Sequence, residues 1–132
     1  MADRKMRILI VDDANLVRLY YRQTLEGAGF EVEEALNGIE ALERLLASPA
    51  DAVIVDINMP LMDGRKCLSE IKKIERLKRT PVFIYSTSSE SRLKEELIHM
   101  GATDYIEKPS SISSLSAIIS GLYARVEKMM EG

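Results

Sequence analysis

Short apolar runs alternate with amphipathic stretches along the whole sequence, and this alternation restricts the fold more than any other feature. Several runs are rich in Val and Ile and are bounded by turn residues, which is typical of β-strands. The five predicted strands cover residues 6–11, 31–35, 52–55, 81–85 and 103–106.

Apolar residues recur at helical spacing between and after these runs, which predicts five helices. On the first helix, Arg18 and Arg22 are expected on the face opposite the apolar one. Gly27 and Gly29 are predicted to end that helix, and Gly101 the fourth. The apolar stripes are Val17, Tyr20, Tyr21, Thr24 and Leu25; Leu42, Leu45 and Leu46; Cys67, Ile71 and Ile74; Leu93, Leu97 and Met100; and Leu115, Ile118, Ile119, Leu122, Val126 and Met129.

Strict alternation of five strands and five helices predicts an α/β fold with one doubly wound, mostly parallel sheet. Right-handed crossovers then place helices on both faces of that sheet. Ligands of such sheets bind beyond the carboxyl ends of the strands. We therefore expect the chemistry of this chain in the segments that directly follow the predicted strands.

Length and composition favour one globular domain over residues 1–132, with a core from about residue 6 to 129. The net charge of −3 gives no support for nucleic-acid binding. The longest apolar run, residues 8–11, is far too short for a membrane span, so we expect a cytoplasmic protein without membrane contact. The single cysteine, Cys67, is predicted to be a core thiol.

Three carboxylates directly follow two of the predicted strands. Asp12 and Asp13 come after the first, and Asp56 comes after the third. Carboxylates gathered at one cleft repel each other unless a cation joins them. A hard dication is the natural partner, and Mg²⁺ suits a shallow site that keeps several waters. Neighbouring strand residues point to opposite faces, so Asp12 and Asp13 can share a site only where the strand ends.

Two further strand ends carry groups that can interact with negatively charged oxygens at this edge, one through its positive charge and one through a hydrogen bond. Lys108 follows the fifth strand, where its ammonium group can neutralise carboxylates or phosphoryl oxygens. Ser86 is expected at the last position of the fourth strand, where it can hydrogen-bond within the cleft. The next residues, from Thr87 to Glu90, fit a capping box for the fourth helix.

This set of residues resembles the receiver domain of bacterial two-component response regulators, from about Arg7 to the end of the last helix. The resemblance rests on Asp12-Asp13, on Ser86, on Lys108-Pro109 and on the segment Asp56-Ile57-Asn58-Met59-Pro60-Leu61-Met62-Asp63-Gly64. It implies a flavodoxin-like fold with five parallel strands in the order 2-1-3-4-5. We expect residues 1–132 to form a single receiver domain with no room for an output domain, either as a stand-alone regulator or as part of a larger protein.

The resemblance also implies a role for each matching residue. Asp56 is the phosphoacceptor, Asp13 binds Mg²⁺ directly, and Asp12 binds it partly through water. The remaining implied roles are the metal-binding backbone carbonyl of Asn58, the phosphate-binding amine of Lys108, the switch hydroxyl of Ser86 and the aromatic switch of Tyr105.

The implied function is regulatory rather than enzymatic. The phosphoryl donor is a sensor histidine kinase or a histidine phosphotransfer protein. The phosphorylated form acts on a downstream protein through the face of the fourth helix, fifth strand and fifth helix.

Two positions depart from the pattern of the family. Thr87 stands where a small residue is usual, and its branched side chain is expected to narrow access to the phosphoryl group. It also leaves open which hydroxyl switches, although the spacing to Lys108 favours Ser86. Ser110 stands where an aromatic residue is common.

Two other functions compete with the phosphoacceptor switch. A Mg²⁺-dependent aspartyl-phosphate phosphohydrolase needs a second carboxylate two residues after its nucleophile, and that residue here is Asn58. An interaction module that works without phosphorylation predicts loss of Asp56, Asp13 or Lys108, and all three are present.

Overall fold

The computed structural model describes residues 6–57, 59, 61–86, 91–107 and 124. Strands and helices alternate through the described chain, as predicted. The stripe of the predicted fifth helix lies outside the described residues. The elements are β1 (Arg7–Val11), α1 (Asn15–Gly27), β2 (Glu31–Ala35), α2 (Gly38–Ala47), β3 (Ala52–Asp56), α3 (Gly64–Lys73), β4 (Val82–Ser86), α4 (Ser91–His99) and β5 (Asp104–Glu107).

All neighbouring strands of the sheet are parallel, and their order is β2-β1-β3-β4-β5. This confirms the predicted fold, including the strand order. β1 and β3 lie next to each other in the middle of the sheet, with Val11 opposite Val55. The residues that follow Val11 and Val55 therefore emerge side by side at one edge, which we call the carboxyl edge.

The sheet divides the core into two apolar layers because strand residues alternate between its faces. Along β1, Ile8 and Ile10 pack with Tyr21 and Leu25 of α1. The intervening β1 residues belong to the other, larger layer, which also contains residues of α2, α3 and α4. Helices on both faces bury every residue of β3 and all of β1 except Arg7, as expected for a parallel sheet.

Cys67 is a buried member of this larger layer, as predicted. Burial, and to a smaller extent the charge of Asp63, raise the pKa of its thiol to about 12. The thiol therefore stays protonated at neutral pH and serves as an apolar packing group.

Helix termini form where the sequence supplies capping groups. Asn37 caps α2 by accepting a hydrogen bond from the Glu40 amide (2.9 Å), and the Glu40 side chain accepts one from the Leu36 amide (3.1 Å). Beyond α1 and α4, Gly29 (φ 100°) and Gly101 (φ 111°) take the left-handed conformation that glycine adopts without strain.

The opposite, amino edge of the sheet is held together by pairs of opposite charge. The Arg7 amide donates to the Asp51 carboxylate (2.7 Å), and the Arg7 guanidinium pairs with Glu31 (3.1 Å) and with Glu33. The same guanidinium also donates to the Ser48 hydroxyl. Arg7 thereby ties β1 to β2 and to the segment between α2 and β3.

Candidate metal centre at the carboxyl edge

Three carboxylates meet where β1 and β3 end. One carboxylate oxygen from each of Asp12, Asp13 and Asp56 lies within 4.8 Å of the other two. Asp12 is 2% exposed and Asp56 is 6% exposed, whereas Asp13 is exposed to solvent. The structure thus brings together the three acidic residues that were predicted to share a site.

The backbone at the end of β1 explains how neighbouring acidic residues reach one cleft. Asp12 still pairs with β2 through its amide, which donates to the carbonyl of Ala35 (3.1 Å). Its carboxylate accepts a hydrogen bond from the amide of Ala14 (2.9 Å), which lies two residues further along the chain, just before α1 begins. β1 thus ends at Val11, the Asp12 amide makes one further bond to β2, and both acidic residues lie where the strand is ending, as the prediction required.

The loop after Asp56 approaches the backbone of β3 very closely at Gly64, the first residue of α3. The Gly64 amide donates to the Ile57 carbonyl (2.9 Å). A Cβ atom at Gly64 would lie 2.6 Å from the Ile57 Cα atom and 2.7 Å from the Asp56 carbonyl oxygen. Only glycine fits there without displacing the backbone of Asp56. Asp63-Gly64 was recognised in the sequence as a motif, but this packing role was not.

The same loop also packs against the start of α2. A Cβ atom at the buried Gly38 would lie between 2.7 and 2.9 Å from three atoms of the Met62 side chain. Asp63 closes the loop by capping α3, where its carboxylate accepts from the Lys66 amide (2.9 Å). These contacts thus hold Met62, Asp63 and Gly64 against α2, the first turn of α3 and the end of β3.

Burial and the charges of the acidic cluster raise the pKa values of two tyrosines in the core. Tyr21 of α1 and Tyr85 of β4 meet edge to face, with their ring centroids 5.3 Å apart. Burial is the largest cause of the raised pKa of each phenol, and the negative charges of Asp12 and Asp56 add to it. Both phenols are therefore neutral at physiological pH.

Arg18 lies on the buried side of α1, so its predicted position on the solvent face is wrong. Its side chain is only 8% exposed and its Nη1 donates to the backbone carbonyl of Asp12 (2.7 Å). Its Nε pairs with Glu34 of β2 (3.0 Å). A charged residue is buried only where acceptors replace its water, and here the ends of two strands supply them.

The remaining predicted site residues are placed only in part. Tyr105 lies on β5 and is buried in the larger core layer, at 7% exposure. Ser86 is the last residue of β4. Asn58, Thr87 and Lys108 lie outside the described residues.

The donor set of the acidic cluster fits a hard dication. Three carboxylates offer only oxygen ligands, which Mg²⁺ prefers to nitrogen or sulfur. Two of these carboxylates are buried, where their mutual repulsion is stronger than in water. A bound cation would offset that repulsion.

Comparison with known proteins identifies the family. The family model for the response regulator receiver domain matches residues 8–120. The chain belongs to this family. Receiver domains generally bind Mg²⁺ through acidic residues, take their phosphoryl group from a histidine kinase and regulate an effector. Among the described residues of this receiver domain, no helix is long and apolar enough to cross a lipid bilayer.

Solved structures of similar sequence share this fold. The chemotaxis response regulator CheY4 of Vibrio cholerae is 31% identical, with a TM-score of 0.84 over 93% of this chain and 99% of that one. The phosphorylated cyanobacterial phytochrome response regulator RcpA is 30% identical, with a TM-score of 0.84 over 90% of this chain and 91% of that one.

Curated relatives are considerably longer than this chain. A protein-glutamate methylesterase/protein-glutamine glutaminase of Rhodospirillum rubrum is 42% identical over 83% of the chain but only 30% of the relative. The regulatory protein AtoC of Escherichia coli is 39% identical over 86% of the chain and 24% of the relative. The chain thus spans about a third or less of these relatives, and the likeness concerns their receiver portion.

Proposed function

We propose that Asp56 of this receiver domain accepts a phosphoryl group from the phosphohistidine of a sensor histidine kinase or a histidine phosphotransfer protein. One observation carries the proposal. Asp56 ends a central strand, nearly buried, with a carboxylate oxygen within 4.8 Å of oxygens of both Asp12 and Asp13. The similarity to the phosphorylated regulator RcpA also supports a phosphorylated form.

In the proposed transfer, a carboxylate oxygen of Asp56 attacks phosphorus while the bond between phosphorus and the histidine nitrogen breaks. The product is an acyl phosphate. The transition state is loose and carries its charge on the equatorial phosphoryl oxygens, so catalysis depends mainly on alignment and neutralisation. Pairing of β3 with both neighbouring strands, together with the close approach of Gly64, holds the Asp56 backbone for this alignment.

Asp12, Asp13 and Asp56 would hold Mg²⁺ together with the backbone carbonyl of Asn58. Asp13 would bind the ion directly, and Asp12 partly through water. When bound, Mg²⁺ neutralises charge on the phosphoryl oxygens. The Lys108 ammonium group supplies a second positive charge to the same oxygens.

The phosphoryl group is proposed to switch the domain through its added charge and acceptor oxygens. Ser86 hydrogen-bonds one phosphoryl oxygen, and Tyr105 turns inward to fill the space that Ser86 leaves. Because Tyr105 is already buried, this motion would be a shift of the ring within the core rather than its entry from solvent. Thr87 is proposed to limit access to the acyl phosphate and so to set its lifetime.

We propose that the switched domain acts on a downstream protein through the face formed by α4, β5 and the fifth helix. The scheme needs no nucleic acid and no membrane, and it places the protein in the cytoplasm. The chain itself would catalyse only its own phosphorylation and dephosphorylation. The alternative, a Mg²⁺-dependent phosphohydrolase acting on other substrates, is not favoured, because receiver domains are regulatory.

A phosphorylation assay tests this proposal. The chain is incubated with acetyl phosphate with and without Mg²⁺, and the product is measured by intact mass and mapped by peptide sequencing. We expect one acid-stable, base-labile phosphoryl group on Asp56, formed only with Mg²⁺. Asp56→Asn should accept none, and Asp51→Asn, at the other edge of the sheet, is the control that should be labelled normally. Equal labelling of Asp56→Asn would refute the assignment.

A further inference from the structure

Arg18 stands out because it is a buried charge directly beside the acidic cluster. The residue is 7% exposed, and its guanidinium has three kinds of acceptor around it. It donates to the Asp12 carbonyl (2.7 Å), pairs with Glu34 (3.0 Å) and donates to the Asn15 side chain. Burial of an arginine is costly, and such an arrangement persists only where each donor finds a partner.

The bond to the Asp12 carbonyl is the unusual one. This carbonyl belongs to the peptide that joins Asp12 to Asp13, beyond the last paired residue of β1. On a regular strand the two side chains would point to opposite faces of the sheet. In this structure both reach one cluster, so the peptide between them has left the strand geometry. Arg18 donates a hydrogen bond at that turning point.

We propose that Arg18 is a positioning residue for the metal centre, and this inference rests on the proposed function. By holding the Asp12 carbonyl, Arg18 fixes the orientation of the Asp12–Asp13 peptide and so the direction in which both carboxylates leave the backbone. The guanidinium is suited to this task because its planar fork binds several acceptors in fixed directions. Its pair with Glu34 anchors it on β2, a neighbouring strand of the sheet.

Arg22 supplies a matched comparison one helical turn further along α1. It also pairs with Glu34, and it donates to the backbone carbonyl of Val32 (3.1 Å). The carbonyl that it binds belongs to β2 and lies away from the acidic pair. Arg18 and Arg22 therefore share the helix and an ion-pair partner, but only Arg18 binds the peptide between Asp12 and Asp13.

Positioning and simple electrostatics predict opposite effects of removing Arg18. A positive charge near a cation site repels the cation, so loss of that charge alone would tighten Mg²⁺ binding. Loss of the carbonyl's hydrogen bond would instead let the peptide turn and weaken binding. Arg18→Met removes both the charge and the bond, whereas Arg18→Lys keeps the charge and loses the planar fork.

The test is Mg²⁺ titration by calorimetry of the full chain as wild type, Arg18→Met, Arg18→Lys and Arg22→Met. We expect about tenfold weaker binding for Arg18→Met, because part of the binding free energy must then order the Asp12–Asp13 peptide. Arg18→Lys should bind Mg²⁺ severalfold more weakly than wild type. Arg22→Met should bind it with wild-type affinity. In the metal-free chain, the amide resonances of Asp13 and Ala14 should shift in Arg18→Met and stay in place in Arg22→Met.

Unchanged or tighter Mg²⁺ binding by Arg18→Met would overturn the inference, and so would an equal loss in Arg22→Met. If Arg18→Met does not fold, Arg18→Lys decides, because wild-type affinity in that variant refutes a positioning role. A wild-type chain that binds no Mg²⁺ would instead refute the proposed function. The two failures are therefore distinguishable.

Discussion

The two edges of the sheet treat charge in opposite ways. At the amino edge, Arg7 meets the carboxylates of Glu31 and Glu33, so charges of opposite sign lie together. At the carboxyl edge, three carboxylates lie with oxygens within 4.8 Å of one another, and two of them are nearly buried. The first arrangement stabilises the fold, whereas the second opposes folding until a cation binds.

This contrast indicates that the carboxyl edge is the part of the sheet suited to bind a cation. Like charges are costly to gather in a protein interior, so such a cluster points to a functional site rather than to stabilisation. The carboxyl edge also carries the closest backbone approach, at Gly64, and the buried Arg18. The proposed cation site thus lies at the carboxyl edge, beside the Arg18–Glu34 pair, whereas at the amino edge Glu31 and Glu33 pair with Arg7.

The largest expected effect is that of Gly64→Ala at the carboxyl edge. The new Cβ atom would overlap the Asp56 carbonyl oxygen and the Ile57 Cα atom, so the backbone must move. We expect a loss of about 2–3 kcal/mol in the free energy of unfolding, measured with urea, and slower phosphorylation of Asp56. Gly27→Ala is the control, because a Cβ atom there meets nothing within 4 Å. Its stability should stay equal or rise by up to about 1 kcal/mol. Equal losses in both variants would contradict the close-approach argument.

A smaller effect is expected from Arg7→Met at the amino edge. The substitution leaves the partly buried Glu33 carboxylate without this guanidinium and removes the link from β1 to Ser48. We expect a loss of about 1–2 kcal/mol in the free energy of unfolding, with unchanged Mg²⁺ affinity. The more exposed Arg44, which pairs with Glu33 at 3.4 Å, is the control, and Arg44→Met should cost less than about 0.5 kcal/mol. A change in Mg²⁺ affinity would show that the two edges are not independent.

The sequence was sufficient to predict the strand alternation, the sheet topology and the meeting of Asp12, Asp13 and Asp56. The alternation and the meeting of the carboxylates follow from apolar periodicity and from the rule that parallel strands share one functional edge, whereas the strand order was implied by the resemblance to receiver domains. Strand ends were less accurate, because backbone pairing decides them rather than side-chain polarity. β5 extends to Glu107, one residue beyond the predicted run, because Glu107 pairs with Ser86, which is the last residue of β4 as predicted.

The role of Arg18 was not predictable from local pattern. Helical periodicity predicts a solvent-facing position for a charged residue such as Arg18. The partners of Arg18, the Asp12 carbonyl and Glu34, come from two segments that are distant in sequence. The packing of Gly64 on Asp56 and of Gly38 on Met62 was missed for a similar reason. Close approach between distant segments exists only in the assembled fold.

The central claim is that the three carboxylates oppose folding when alone and form a site when Mg²⁺ binds. The most direct test measures the free energy of unfolding of wild type and Asp13→Asn, each in EDTA and in Mg²⁺. In EDTA, we expect Asp13→Asn to be more stable than wild type by about 0.5–1 kcal/mol, because one of the like charges is gone. At a Mg²⁺ concentration about 100 times the Kd, wild type should gain about 2.7 kcal/mol, and Asp13→Asn almost nothing. A wild type that is insensitive to Mg²⁺, or an Asp13→Asn variant that gains as much, would contradict the account.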